Sequence, residues 1–232
     1  MMADPTRKQT PWRLLAWLVF VTIVSGVNYA GQLADVETPD DLAYRYSTAI
    51  GVVIQYAVFV AIILLISWGL PLRDTFALRR PASWGRALRL TVAALFAIWG
   101  AAFVYSIVLS DVSELDPTEE QGLVPSGWDS SRAGAFVAFF IAVTFVGPFV
   151  EELIFRGLGF TLVGPYGEWV AILATGVLFG LYHGLLVALP VLTVFGIAIG
   201  WLRARTDSLY PCVVLHSIFN GVALIVSVTV LG

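Results

Sequence analysis

Seven apolar runs divide this chain, at about 12–33, 48–70, 87–109, 134–162, 168–186, 188–204 and 209–230. A membrane-spanning helix needs roughly 20 consecutive apolar residues, and in hydrocarbon each backbone amide must find its partner within the segment. The pattern therefore predicts an all-α fold, a polytopic transmembrane helix bundle of about seven spans. Composition agrees, with 59% hydrophobic and 12% charged residues, against roughly 45–50% and 25% in soluble domains. A net charge of −3 gives no support for nucleic-acid binding, and the one cysteine, Cys212, excludes an intramolecular disulfide.

Loop charge sets an expected topology. Basic residues gather at the N-terminus (Arg7, Lys8, Arg13), in the second connection (Arg73, Arg79, Arg80, Arg86, Arg89) and after the sixth run (Arg203, Arg205). Acids gather in the first connection (Asp35, Glu37, Asp40, Asp41) and the third (Asp111 to Asp129). By the positive-inside rule the N-terminus is cytoplasmic, and seven spans put the C-terminus outside. The first run lacks a small-x-small cleavage site, so it is expected to stay as a span. We divide the single membrane domain into a three-span region, 1–133, with an acidic external loop, and a helix core, 134–232. Trp12, Trp17, Trp68 and Trp201 are expected as interface anchors. Ser208 and Pro211 read as the start of the last helix. Twelve of the thirteen basic residues are arginine, a composition that hints at a prokaryotic plasma membrane.

The informative residues are the polar ones at lipid depth. Both histidines of the chain, His183 and His216, lie inside apolar runs, as do Glu151, Glu152 and Arg156. An acid or arginine at the centre of a spanning helix costs roughly 2.5–3.5 kcal/mol, and such residues face a bundle interior or a wet cavity. A polar intramembrane cavity is expected. Three patterns carry it: Glu152-x-x-x-Arg156 preceded by Glu151, Phe179-x-x-x-His183, and His216-x-x-x-Asn220. Each sets its end residues on one helix face. Gly147-Pro148, just before the glutamates, should kink or break its helix. Counting along α-helices from the intervening turns places Glu151, Glu152, His183 and Asn220 at similar depth, with His216 one turn nearer the cytoplasm.

Chemically, a carboxylate beside an imidazole can hold and deprotonate a water, while a second imidazole and an amide can stabilise an oxyanion. Arg156 can pair with Glu152 and leave Glu151 free. Cys212 as a nucleophile leaves the glutamate pair unexplained. A zinc site of two glutamates and two histidines is the alternative, but the helical His-Glu-x-x-His pattern is absent.

The three motifs, in this order on successive late spans, resemble those of the CPBP (CAAX protease and bacteriocin-processing, or ABI) family of intramembrane glutamic proteases. The resemblance covers about 134–225, and the family's core is described with eight spans. It implies an endopeptidase in which Glu151 activates water with His183, His216 and Asn220 form the oxyanion hole, and Glu152 and Arg156 fix the site's charge. It implies a peptide or membrane-protein substrate, CAAX-like in the best-known relatives, and a site opening toward the cytoplasmic half of the bilayer; no cofactor is expected, and the metal-free mechanism is preferred because the His-Glu-x-x-His pattern is absent. Other readings are an inactive scaffold or immunity-type protein of the same fold, a metal-dependent membrane protease, and a proton-coupled carrier, against which the lack of an internal repeat counts.

Overall fold

A computed structural model describes residues 11–34, 39, 41–112, 125 and 127–230, with 110–112 and 230 described by backbone alone. Most of the acidic side chains expected in the first and third connections, and Arg7 and Lys8, lie outside the described residues. Among the described residues there is no strand. The main helices are α1 (Pro11–Leu33), α2 (Tyr46–Ile66), α3 (Trp84–Val112), α4 (Ser130–Tyr166), α5 (Glu168–Tyr182), α6 (Leu189–Thr206) and α7 (Tyr210–Val230). Large apolar side chains such as Leu15, Val27, Phe96 and Phe103 are exposed around the outside, as an integral membrane protein requires.

Five helices, α1 to α4 and α7, are long and apolar enough to cross a bilayer. The expected runs 168–186 and 188–204 are not of that kind. Helix α5 has 15 residues, roughly 22 Å at 1.5 Å per residue against a hydrocarbon core of about 30 Å. It stops at Tyr182 because Gly184 adopts φ +72°, a left-handed conformation that a side chain resists. Helix α6 carries Arg203 and Arg205 in its last turn, where cations complement the exposed carbonyls. The two form a hairpin packed through glycines. A Cβ on Gly176 would lie 2.7 Å from the Ile197 nitrogen, and one on Gly196 would collide with the Gly176 backbone. Gly176 and Gly180, like Gly196 and Gly200, stand four apart, the spacing by which membrane helices approach backbone to backbone.

Helix α4 is the hub, packed against α1, α2, α5, α6 and α7. The helix is not broken at Gly147-Pro148: it runs on, widening into π-helical stretches at Ala142–Val146 and Leu153–Gly159. Proline lacks an N–H, and its ring crowds the carbonyl four residues back. Here that carbonyl, of Thr144, lies in the first π stretch, where the wider winding relieves the clash. Carbonyls in both stretches take partners from other helices. Val143 accepts from Asn220 Nδ2 (3.1 Å), Ile154 from Trp17 Nε1 (3.0 Å) and Arg156 from Arg203 Nε (3.1 Å). Trp17 is therefore not an interface anchor: it is fully buried, and Gly159 leaves room for its ring. Trp12 and Trp68 are exposed, as expected of anchors.

The connections meet at two ends. At the basic end, Leu209 N bonds Ala77 O (3.0 Å), Thr161 Oγ1 bonds Thr75 O (2.8 Å), and Arg79 and Arg203 both donate to Asp207. At the other end Arg132 bridges Asp41 and Asp129, and Tyr44 donates to Gly127 O. Bonds from the Ser131 hydroxyl and from Arg132 hold the Asp129 carboxyl down at about 2. This cluster sets α2 in register with α4, which matters for the site.

Gly196→Leu should destabilise the detergent-solubilised protein by about 1–3 kcal/mol or more, as overpacking does. Gly51→Ala, where nothing lies within 4 Å, should not. Thermal unfolding checks both. The Asp129 cluster should stabilise fully above the ordinary carboxyl value of 3.8 and lose its contribution as pH falls through about 2. Acid unfolding compared with Asp129→Asn reads that window.

Candidate active site

Glu151 and Glu152 occupy the short α-helical segment Gly147–Glu152 between the two π stretches. Adjacent helical residues point about 100° apart, so the two carboxylates meet different surroundings. Glu152, fully buried, accepts from Arg156 Nη1 (3.2 Å) and from His216 Nδ1 (2.9 Å) through the same oxygen, Oε1. Arg156, also fully buried, donates Nη2 to Gly196 O (2.7 Å) and lies over the Phe179 ring, 4.6 Å from its centroid. The ion pair expected between Arg156 and Glu152 is thus present, tied to the α5–α6 hairpin on one side and to α7 on the other.

Glu151 turns to the opposite task. Its Oε1 accepts a hydrogen bond from the Tyr56 hydroxyl of α2. Its Oε2 faces His183 Nε2 at 3.8 Å and His216 Nε2 at 3.7 Å. Both gaps exceed a hydrogen bond and suit a bridging water. His183 is the residue on which α5 ends, and its Nδ1 lies 2.8 Å from Phe179 O. A carbonyl only accepts, so Nδ1 carries a proton, and the ring when neutral presents a lone pair at Nε2. Nearby, Asn28 Nδ2 bonds Tyr182 O (2.6 Å), anchoring α1 to this turn. The Phe179 ring sits against both imidazoles at 4.6 and 5.5 Å.

Of the expected site residues, Glu151, Glu152, Arg156, His183 and His216 form one connected cluster. Asn220 does not bond to them; one of its amide protons goes to Val143 O. His216, not Asn220, is level with the glutamates. The depth count assumed α-helical rise throughout, and the seven-residue π stretch, which advances less per residue, brings Glu152 closer to the basic end. Away from these residues, a cavity of about 390 Å³ between α2 and α4 is apolar, lined by α2 from Tyr46 to Ile54 with Ala138 and Ile141. The buried charged groups pack on one another, as burial demands. Cys212 has its thiol against the Ile199 and Ser208 carbonyls. Tyr56, Asn28 and Trp17 were missed, all on helices read as generic spans.

Residues 133–222 match the family model Rce1-like, described as type II CAAX prenyl endopeptidase Rce1-like. The matched segment is similar to that family and contains all six expected site residues, while Tyr56 lies outside it. The matched family is one of proteases, and the likeness supports a membrane endopeptidase. Neither the curated proteins nor the solved structures give a match.

Arg156→Met strips the buried Glu152 carboxylate of its guanidinium. It should destabilise the protein by roughly 3–5 kcal/mol, the cost of leaving a buried charge without its partner. Thermal unfolding in detergent measures this, and an unchanged midpoint would show that the ion pair does not hold the site together.

Proposed function

We propose that this protein is an intramembrane glutamic endopeptidase that hydrolyses a peptide bond of a membrane-associated, CAAX-like protein or peptide. The observation that carries the reading is Glu151 Oε2 facing two imidazole nitrogens at 3.7 and 3.8 Å. Three groups that accept hydrogen bonds cannot satisfy one another; a water between them, with one of the imidazoles protonated, can satisfy all three. Glu151, Glu152 and Arg156 together carry a formal charge of −1, so one added proton makes the cluster neutral. The mechanism places that proton on His216, the imidazole that lies between both carboxylates, with Nδ1 2.9 Å from Glu152 and Nε2 3.7 Å from Glu151.

Glu151 takes a proton from the water as the water oxygen bonds to the scissile carbonyl carbon, with His183 Nε2 orienting the other hydrogen. The oxyanion receives the Nε2–H of His216 and the second amide proton of Asn220, one turn away. Glu151 then returns the proton to the departing amine as the C–N bond breaks. Glu152 and Arg156 hold His216 and the local charge. Cys212 takes no part. No step requires a metal or cofactor.

Orientation follows from loop charge: the basic ends of the helices face the cytoplasm of a prokaryotic plasma membrane. Helix α5 runs roughly 22 Å from that side to His183, so a substrate reaching the site from the cytoplasm inserts deeply into the bundle.

The test uses purified protein in detergent with a quenched fluorescent farnesylated CAAX peptide and a panel of unprenylated apolar peptides, products being identified by mass spectrometry. Cleavage that Glu151→Gln abolishes without lowering the unfolding temperature is expected. Retained turnover in that variant would remove Glu151 from the mechanism, and no cleavage of any peptide by the wild type would favour an inactive scaffold. Activity should also survive a strong chelator; its loss, with recovery on adding zinc, would favour the metal-dependent alternative.

A further inference from the structure

Helix α2 is the most apolar of the spanning helices, with a mean hydropathy of 2.8, and Tyr56 stands ten residues from each of its ends. A phenol at that depth needs a partner for its hydroxyl, and Tyr56 donates to Glu151 Oε1. Its neighbourhood is arranged around that bond. A Cβ on Gly147 would come within 3.1 Å of the Tyr56 oxygen, so the glycine keeps space open where α4 passes. The Tyr56 ring stands edge-on to Phe59 at 5.9 Å, Phe59 meets Tyr182 at 6.4 Å, and Tyr182 meets His183 at 5.6 Å. One aromatic chain thus joins the phenol on Glu151 to the imidazole across from it.

We propose that Tyr56 is a positioning residue for the hydrolysis, a role that rests on Glu151 being the base. The phenol has one proton to give, and a carboxylate oxygen receives it. The bond stops rotation of the carboxylate and leaves Oε2 as the atom turned to His183 and His216. It also fixes where the transferred proton resides. As the water O–H bond breaks and the new C–O bond forms, the proton goes to Oε2, because Oε1 is already occupied by the Tyr56 hydroxyl. Oε2–H then protonates the leaving nitrogen as the C–N bond breaks, and the carboxylate is restored with the Tyr56 bond unbroken throughout. Tyr56 acts through Glu151 and does not touch the substrate. The site is therefore completed from outside residues 133–222.

Tyr56→Phe keeps the ring and removes the hydroxyl. With the peptide from the panel that the wild type cleaves fastest, kcat should fall roughly 10–100-fold, the range for losing a hydrogen bond to a charged group, with KM within about twofold and the unfolding temperature unchanged. Gly147→Ala, which crowds the same hydroxyl without altering Tyr56, should lower kcat in the same way and serves if Tyr56→Phe does not fold. An unchanged kcat in the folded variants, or a lower unfolding temperature with kcat per folded molecule unchanged, would overturn the proposal and leave Tyr56 a packing residue. Glu151→Gln on the same peptide separates the two failures. If it abolishes cleavage while Tyr56→Phe does not slow it, only the Tyr56 role falls; if it retains cleavage, the glutamate mechanism falls and the Tyr56 role with it.

Discussion

Two neighbouring carboxylates must be buried in a bundle that is apolar inside and out, and the rest of the structure answers that constraint. Because they are consecutive on a helix, one partner cannot serve both. Glu152 points into the closed side, where Arg156 and His216 share its one bonded oxygen. Glu151 points to the side where α2, the end of α5 and α7 meet. In the mechanism we propose, the guanidinium dedicated to Glu152 leaves Glu151 for the chemistry, so structural and chemical duties fall to adjacent residues.

The helix that carries the pair is held from several directions. Its π stretches lie on either side of Gly147–Glu152, and carbonyls within them are bonded by Trp17, Arg203 and Asn220 from three other helices. Arg203 also reaches Asp207 at the basic end. Backbone groups of this kind, left bare at lipid depth, would cost several kcal/mol each. Trp17 and Arg203, outside the site, thus serve the unusual winding of the helix that carries Glu151 and Glu152.

Much of this was legible in the sequence, unevenly. Apolar runs marked α1, α2, α3, α4 and α7, because length and hydropathy are what a bilayer selects. They drew 168–186 and 188–204 almost end to end, where the structure has the helices Glu168–Tyr182 and Leu189–Thr206. The tip of this hairpin, Leu185 to Leu189, is as apolar as the helices beside it, so composition does not separate turn from span; Gly176, Gly180, Gly196 and Gly200 were the signal that two helices pack tightly there. The i,i+4 patterns brought out Glu152, Arg156, His183 and His216, since burying such groups in pairs at helical spacing is costly by accident. Asn220 came from the same pattern, yet its bond is to Val143. Helical counting could not see the π winding that moves His216 level with the glutamates. Tyr56 was hidden for a different reason: a single tyrosine in a greasy helix carries no periodic signature, and its role comes only from the helix it faces.

The central claim is that Glu151, His183 and His216 converge on one water. A crystal structure that shows ordered solvent tests it most directly. The account predicts a water within hydrogen-bond reach of Glu151 Oε2 and of both Nε2 atoms, about 2.6–3.2 Å from each. Histidines turned to lipid, or standing more than about 10 Å from Glu151 and so beyond any bridging water, would contradict it.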